Sequence, residues 1–597
     1  MCVLCERQLA NMAARATDAR GDKADSAASV GAAFAKGGLY GGIEKVITQT
    51  DIHSLNTKAT LSEYHWASDP SGLVAASNIK YAFPSSVSDY DVPDSVTVIF
   101  PDSKRTFEPL VEKQKEAVRA SLGLVESFTN IKFIESPSAK ADAATLRFGQ
   151  YSPESPKSSA VFPPVNPFNW GDAGDNWLGQ NARFSPTASI YGTDALNTVA
   201  HELGHALGLK HGHDPNYNGK LSSDRDASEF SIMTYATFLG ASTNDGYITA
   251  REGSAASSFM MYDISALQHL YGANFSSYGT SRTYRWDQNT GQQFINDQAA
   301  PNSGTTITNK IFSTVWTQGA TTTYDLSNFT DNASLDMRPG QWMTFSRAQL
   351  SDLNSEAASG TAQFQAQGNI YNALLFNGDT RSAIKNIIAG SGDDSITGND
   401  LDNIIIGGRG NDRADGGAGK DTFGYNLKRD NFRVSTESNS IVVTDMTANR
   451  NGIDTLISIE RIDFTDGDLV FDVTSSNAPA AYRLYGGAFA RTPDEGGFRF
   501  WTSTLDANVS LRDVATQFIG SGEFIGRYGA SLSNAAFVDA LYQNVLSRGG
   551  DAGGVAHWNR MLDNKFQDRS DILVQFTQLP EFVGISAANI TNGYWVV

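Results

Sequence analysis

Cysteine is almost missing from this 597-residue chain: there are two, Cys2 and Cys5, both at its very start. A single C-x-x-C pair cannot staple several domains, so no disulfide framework holds the fold. Long apolar runs are missing as well. No stretch approaches the roughly 18 residues that a membrane-crossing helix needs. Arg7, Arg15 and Arg20 interrupt the first 30 residues, so a conventional signal peptide is not expected. Positive charge is in deficit, with 46 Lys and Arg against 65 Asp and Glu and a net charge of −19. That balance argues against nucleic acid or an anionic membrane as partner and suits a chain that binds calcium. What remains is ordinary globular material, 40% hydrophobic, long enough for several domains and rich in glycine, with 55 residues.

Histidine is scarce, yet four of the eight fall between residues 201 and 213. The string His201-Glu202-Leu203-Gly204-His205-Ala206-Leu207-Gly208-Leu209-Lys210-His211 reads H-E-x-x-H-x-x-G-x-x-H. Leu196, Val199, Leu203 and Leu207 recur at helical spacing, which predicts a helix over 194–208. On a helix, residues four apart lie one above the other, so His201 and His205 aim at one point. Glu202 lies about 100° further round, in reach of a water molecule there without being a ligand. Gly208 can take a positive φ and stop the helix, returning His211 as third ligand. Three imidazoles leave zinc an open position, as hydrolysis requires. Glu202 would take a proton from water and pass it to the leaving amine.

Twenty-two residues beyond His211, Ser231-Ile232-Met233-Thr234-Tyr235 resembles the Met-turn that underlies the zinc of the metzincin clan. His213 reads either as an alternative ligand or as a surface residue, and three histidines already saturating the protein side of such a site favour the surface. Upstream, Ile79–Phe83, Ile131–Glu135 and Thr145–Gln150 are strand-like and Phe107–Thr129 is amphipathic; Met260–Gly272 supplies a closing helix. Strands and helices in this order fit an α/β upper half with the site at its lower edge.

From residue 389 a nine-residue period sets in: Ala389–Thr397, Gly398–Ile406, Gly407–Asp415 and Gly416–Gly424. It is similar to the G-G-x-G-x-D-x-U-x repeat of calcium β-rolls. Glycines 390, 392, 408, 410, 417 and 419 make tight turns whose carbonyls face inward, namely Gly390, Gly392, Gly408, Gly410, Gly417 and Gly419. Asp394, Asp412 and Asp421 sit at the acid position, with Asn403 in the degenerate second repeat. Ile396, Ile405, Ala414 and Phe423 point into the roll. Each repeat makes half a coil, so Asp394 pairs with Asp412 and Asn403 with Asp421, 18 residues apart. Trp316–Asp325 resembles a stretch that RTX proteases typically carry before the roll, but Thr317 and Thr322 stand where that family has acids, which counts against a calcium site there.

The last 120 residues hold a duplication. Leu484-Tyr485, Arg491, Asp494, Gly496-Gly497 and Trp501 recur 57 residues later as Leu541-Tyr542, Arg548, Asp551, Gly553-Gly554 and Trp558. Glu523-Phe524 recur as Glu581-Phe582. Helical apolar spacing predicts two similar helical units, which look like DUF4214 modules.

Taken together, the zinc motif, the Met-turn, the segment Met260–Asn274 and the nonapeptides make residues 60–475 resemble the serralysins, RTX-type metzincin proteases of Gram-negative bacteria. The resemblance implies one catalytic zinc on His201, His205 and His211, and several structural calcium ions. It implies Tyr235 as auxiliary zinc ligand and catalytic stabiliser of the oxyanion, and Met233 as support beneath the metal. It also implies secretion through a type I exporter and a prosegment lost outside the cell. The expected architecture is multidomain α+β: a leader or prosegment over 1–59, a metzincin zinc protease domain with an α/β upper half over 60–275, a parallel β-roll domain that binds calcium over 276–475, and a duplicated all-α domain with the secretion signal over 476–597. The expected activity is calcium-dependent zinc endopeptidase action on protein and peptide substrates, secreted or at the cell surface. The alternative is a non-catalytic RTX protein bound to the surface layer, which loss of a ligand or of Glu202 would favour; all are intact. An extended substrate would add as a strand near Thr145–Gln150 or Ser158–Phe162. Tyr594-Trp595-Val596-Val597 is a candidate part of the export signal.

Overall fold

The structure, a computed structural model, describes residues 39–42, 52–62, 64–67, 77–90, 107–140, 143–150, 158–160, 163, 173–179, 185, 188–216, 218–243, 250–301, 303–304, 306–354, 364–448 and 450–597. Cys2, Cys5, most of the expected leader and the end of Ser158–Phe162 lie outside them. The chain divides into two compact units, 1–399 and 400–597. It is a mixed α/β protein with large sheets containing parallel pairs and a helical C-terminal region.

In the first unit, β1 (Leu39–Gly42) pairs antiparallel with β2 (Tyr64–Ala67), flanking α1 (Ile52–Ala59). A five-stranded sheet follows from β3 (Asn78–Ala82), β4 (Lys132–Glu135), β5 (Leu146–Gln150), β6 (Ser159–Ala160) and β7 (Asp175–Leu178). Its order is β4-β3-β5-β7-β6, parallel except for the antiparallel edge strand β6. Every residue of β5 is buried, as befits a parallel strand with neighbours on both sides. That corrects one expectation: Thr145–Gln150 is interior and cannot accept an added strand, whereas Ser159–Ala160 is the last strand of the order among the described residues. Arg147 on β5 and Asp175 on β7 form a fully buried pair, with Nη2 2.7 Å from Oδ2 and Nε 2.7 Å from Oδ1. Both charges are thereby satisfied, and removing either partner would strand the other.

The helix Glu112–Phe128, α2, buries Ala117, Val118, Ser121, Leu122, Val125 and Phe128 on one face. The helix Asp194–Leu207, α3, starts where the Thr193 hydroxyl accepts from the Leu196 N–H (3.2 Å), an ordinary N-cap. It stops at Gly208, whose φ of 110° any side chain would resist. The closing helix, Met261–Tyr271, is α4. Residues of α1 also enter the core: the Asn56 amide donates to the Tyr262 hydroxyl (3.2 Å), and Ala59 and Leu61 are buried. Thr60 and Ser62 then bond Lys210 and Gly208, so 52–62 braces the end of α3.

Further along this unit the strands become short, in parallel and antiparallel pairs alike. Thr321–Asp325 lies between Ser281–Trp286 and Asn386–Ile388, and Ser334–Asp336 pairs with Ser395–Thr397. Thr317 and Thr322 are buried with their hydroxyls on the Ser382 and Ala320 carbonyls, hydrogen-bonded internally with no carboxylate in their place.

In the second unit, Ile404–Ile406 pairs parallel with Thr422–Gly424, Ile404 opposite Thr422, which is the 18-residue offset of the repeats. Ile405, Ala414 and Phe423 are buried. Eight helices follow: α5 (Ala478–Phe489), α6 (Glu495–Asp506), α7 (Leu511–Ile519), α8 (Gly522–Tyr528), α9 (Asn534–Leu546), α10 (Ala552–Asp563), α11 (Arg569–Thr577) and α12 (Pro580–Ala587). The duplication is structural. Asp494 caps α6 through the Gly497 N–H (2.7 Å) and Asp551 caps α10 through the Gly554 N–H (2.8 Å). Arg491 forks onto Glu523, as Arg548 forks onto Glu581, with Nε–Oε1 distances of 2.7 Å in both. A Cβ at Gly497 or Gly554 would collide with the hydroxyl of Tyr485 or Tyr542, which accounts for both glycines. The repeated Tyr485 and Tyr542 belong to one core with Trp501 and Trp558 packed against it. The chain ends as a strand, Tyr594–Val596, antiparallel to Gly467–Val470, so the expected export segment is part of a sheet in the folded protein.

Candidate metal centre

The imidazoles of His201, His205 and His211 converge. Nε2 of His205 lies 3.1 Å from Nε2 of His201 and 3.0 Å from Nε2 of His211. Nδ1 of His201 is 2.8 Å from the Ile232 carbonyl, and Nδ1 of His205 is 2.8 Å from the Leu209 carbonyl. A carbonyl only accepts, so those Nδ1 atoms carry the hydrogens and their Nε2 atoms carry lone pairs. Burial pushes all three imidazoles below the ordinary histidine value, His205 to about 4, which keeps them neutral. Lone pairs gathered at 3 Å repel unless a cation sits among them. This donor set fits a tetrahedral divalent ion with one position left over. Among the described residues it is the group of histidines and acids placed to hold a metal.

Glu202 points into the same buried region, only 4% exposed, and its Oε2 has no hydrogen-bond partner among the described residues. Burial pushes its carboxyl up to about 8, opposed by the Ala160 backbone N–H of the edge strand. A carboxylate so poorly solvated is a strong proton acceptor once a cation lies beside it.

Below the histidines lies the turn 231–235. Met233 is fully buried, and a Cβ at Gly204 would come within 2.7 Å of its sulfur. The helix position between His201 and His205 must therefore stay small for the turn to approach. Tyr235 stands beside the third histidine, its ring 4.4 Å from that of His211 and 6.3 Å from that of His201. His213 corrects the surface expectation: its ring packs 5.2 Å from His211 and 4.2 Å from Tyr235, and burial lowers its basicity. A small cavity beside Tyr235 is lined by Asn197, Ile232, Thr237, Ala256 and Phe312. The larger cleft of about 550 Å³ holds none of the predicted site residues.

Two residues that the sequence did not single out hold this site. Asp263 of α4 is fully buried and accepts from the Ser231 hydroxyl (2.6 Å) and the N–H groups of Ile232 (2.8 Å) and Met260 (3.0 Å). It thereby fixes the turn whose Ile232 carbonyl orients His201. The second is Lys210, whose buried ammonium donates to the carbonyls of Asp214 (2.7 Å), Gly219 (2.9 Å) and His211 (3.3 Å). Burial lowers it to about 8, still protonated at neutral pH.

The expected calcium positions are described within each unit. Asp394 accepts from the N–H groups of Ala333 (2.7 Å) and Gly390 (3.2 Å). Asp421 accepts from the Asn403 N–H (2.7 Å), and its Oδ2 is buried without a partner among the described residues. Burial pushes both carboxyls up to about 6, a penalty that a bound cation would reverse. Gly408, Gly410, Gly417 and Gly419 adopt positive φ, from 94° to 120°. Two further acids extend the pattern: the Asp412 N–H donates to Asp454 (2.9 Å) and the Asp421 N–H to Glu460 (2.8 Å). Their signal was present as an acid two residues before a buried apolar residue, Asp454–Leu456 and Glu460–Ile462, without the glycines.

Comparison with known proteins agrees with this geometry. Residues 171–250 match the family model for Reprolysin-like metallopeptidases of family M12B, and residues 515–585 match the domain of unknown function DUF4214. Serralysin of Proteus mirabilis is 29% identical over 338 residues, 52% of this chain and 61% of that protein. Serralysin G of Dickeya chrysanthemi is 30% identical, over 55% of this chain and 60% of its own length. Metallopeptidase AprA of Pseudomonas marginalis is 28% identical, over 50% and 57%. The chain thus spans about six-tenths of the length of these curated relatives. Over about half its length it is serralysin-like, with a metallopeptidase-type segment around the histidines and a DUF4214 segment near its C-terminal end.

Proposed function

We propose that this protein is a secreted, calcium-dependent zinc endopeptidase of metzincin type, with His201, His205 and His211 as metal ligands. The observation that carries the reading is the convergence of three Nε2 atoms, with that of His205 3.1 and 3.0 Å from the other two, two of the three held in the lone-pair-bearing tautomer by carbonyls, next to a buried Glu202. Zinc, when bound, supplies Lewis acidity toward a peptide carbonyl and toward water. Glu202 accepts the proton of the attacking water and returns it to the departing amine nitrogen. Tyr235, packed against His211, donates its hydroxyl to the carbonyl oxygen as negative charge develops there. Met233 supports the helix from beneath at Gly204. The substrate extends along β6, the last strand of this sheet order among the described residues, next to Glu202 through Ala160.

In this reading the domain expected over 276–475 is a calcium-binding β-roll, with calcium at Asp394, Asp412 and Asp421, at Asn403, and at the glycine carbonyls of the turns. The buried carboxylates, raised toward neutrality, support a cation there. Secretion by a type I exporter and removal of a leader belong to the same proposal.

Caseinolysis by the full chain, with and without a zinc chelator, tests the assignment against Glu202→Gln. We expect a loss of roughly 100- to 10,000-fold with zinc retained. Proteolysis that survives the substitution would overturn the mechanism, and a chain that holds zinc yet never cleaves would favour a surface-binding role.

A further inference from the structure

The three imidazoles are not held alike. His201 and His205 each have Nδ1 fixed by a backbone carbonyl at 2.8 Å. His211 has none: its Nδ1 is buried without a hydrogen-bond partner among the described residues. Metal-binding histidines ordinarily gain their orientation from a bond at the second nitrogen. For His211 the orientation must come from the backbone that carries it, from the ring of His213 stacked on it and from the ring of Tyr235 tilted against it.

That backbone follows α3 after it stops at Gly208, and is described over 211–216 and 218–219. At its centre lies Nζ of Lys210, fully buried, with the carbonyl oxygens of Asp214, Gly219 and His211 at 2.7, 2.9 and 3.3 Å. An ammonium has three N–H donors and no acceptor, so these three carbonyls use it completely. Its own backbone N–H donates to the Thr60 carbonyl at 2.9 Å, tying the ring to the segment that braces α3. Among the described residues the other backbone ties of this stretch are the Gly212 N–H to Met233 O (3.1 Å), the Leu221 N–H to Gly212 O (2.8 Å) and the Asp214 N–H to His211 O (3.2 Å). None of these draws the carbonyls of 214 and 219 inward.

We propose that Lys210 is a positioning residue for the third imidazole: an internal cation that organises the carbonyls of the turn as a bound ion would, and so presents His211 Nε2 to its two partners. The proposal rests on the zinc reading, since it requires His211 to be a ligand. Without the charge, three carbonyls turned toward a buried point repel one another and the turn relaxes. His211 then departs from the other two, and the rings of His213 and Tyr235 follow it. The competing account is that Lys210 merely fills space with its aliphatic stem. Lys210→Met separates the two, keeping the stem and removing the ammonium.

The measurement is the rate at which zinc passes from the zinc-loaded full chain to excess chromogenic chelator. We expect Lys210→Met to release zinc roughly ten- to a hundred-fold faster, the range found when outer partners of metal ligands are removed. Release at the wild-type rate overturns the proposal. Should the Met variant not fold, Lys210→Ala is refolded with propylammonium or with 1-propanol. Slow release restored by the cation alone supports the role of charge; restoration by both, or by neither, overturns it. Wild-type protein that takes up no zinc sinks the metalloprotease reading itself, a result distinct from unchanged release by the variant.

Discussion

Asp263 offers a sharp test, because its three bonds and its burial act in opposite directions. Its Oδ2 accepts the N–H groups of Ile232 and Met260, and its Oδ1 accepts the Ser231 hydroxyl. Burial nevertheless pushes the carboxyl from 3.8 to about 6, against those bonds. That displacement corresponds to about 3 kcal/mol disfavouring the ionised form in the folded state. The native state therefore holds the extra proton between pH 3.8 and 6, and the unfolded state does not. Stability falls as pH rises through this window and stays lower above it. Two substitutions separate the effects. In Asp263→Asn the oxygen can keep both backbone bonds while the amide donates to Ser231 Oγ, so at pH 8 it should match or exceed the wild type. In Asp263→Ala two buried N–H groups lose their acceptor, at about 1–3 kcal/mol each, for a loss of about 2–6 kcal/mol. The assay is calorimetric melting of the full chain across pH 4–8, following the transition that responds to zinc. The advantage of Asn over wild type should grow from pH 4 to pH 7 and then level off. An Asn–wild-type difference independent of pH, or equal destabilisation by Asn and Ala, would refute the account.

Tyr235→Phe should lower turnover far more than zinc content, since the ring packs against His211 whether or not it carries a hydroxyl; equal loss of both, read by peptide cleavage and elemental analysis, would make its role structural. Calcium titrated into chelator-treated protein should raise the β signal in circular dichroism, and Asp421→Ala should shift that titration to higher calcium; an unchanged curve counts against a cation at Asp421. In the helical region, a double-mutant cycle on Arg548 and Glu581 should give a coupling of only about 0.2–1 kcal/mol, because the pair is well exposed to solvent.

Much of the candidate centre was legible before any tertiary structure. His201 and His205 meet because four residues make about one helical turn, and Gly208 ends the helix as its position foretold. The 18-residue offset of the nonapeptides reappears between Ile404 and Thr422, and the 57-residue duplication reappears as matched caps and ion pairs. Periodicity is a local property, and local properties survive folding unchanged. Asp454 and Glu460 escaped because they keep the acid-and-apolar spacing of the repeat but lack its glycines.

What depended on distance in space was not legible. Asp263 meets Ser231 across 32 residues, and Lys210 meets Thr60 across a far longer stretch. No spacing rule connects such pairs. Thr145–Gln150 and Ser159–Ala160 read equally well as strands; only the order of the sheet makes the first interior and the second an edge. His213 read as a surface residue because a motif assigns ligands and says nothing of what stacks on them. The sequence by itself determined which side chains gather and the tautomer-neutral chemistry they offer, since helical and nonapeptide spacing are set within a few bonds. Only the tertiary structure decided what holds them in place, since a buried carboxylate or ammonium finds its partners wherever packing brings unpaired N–H groups and carbonyls together.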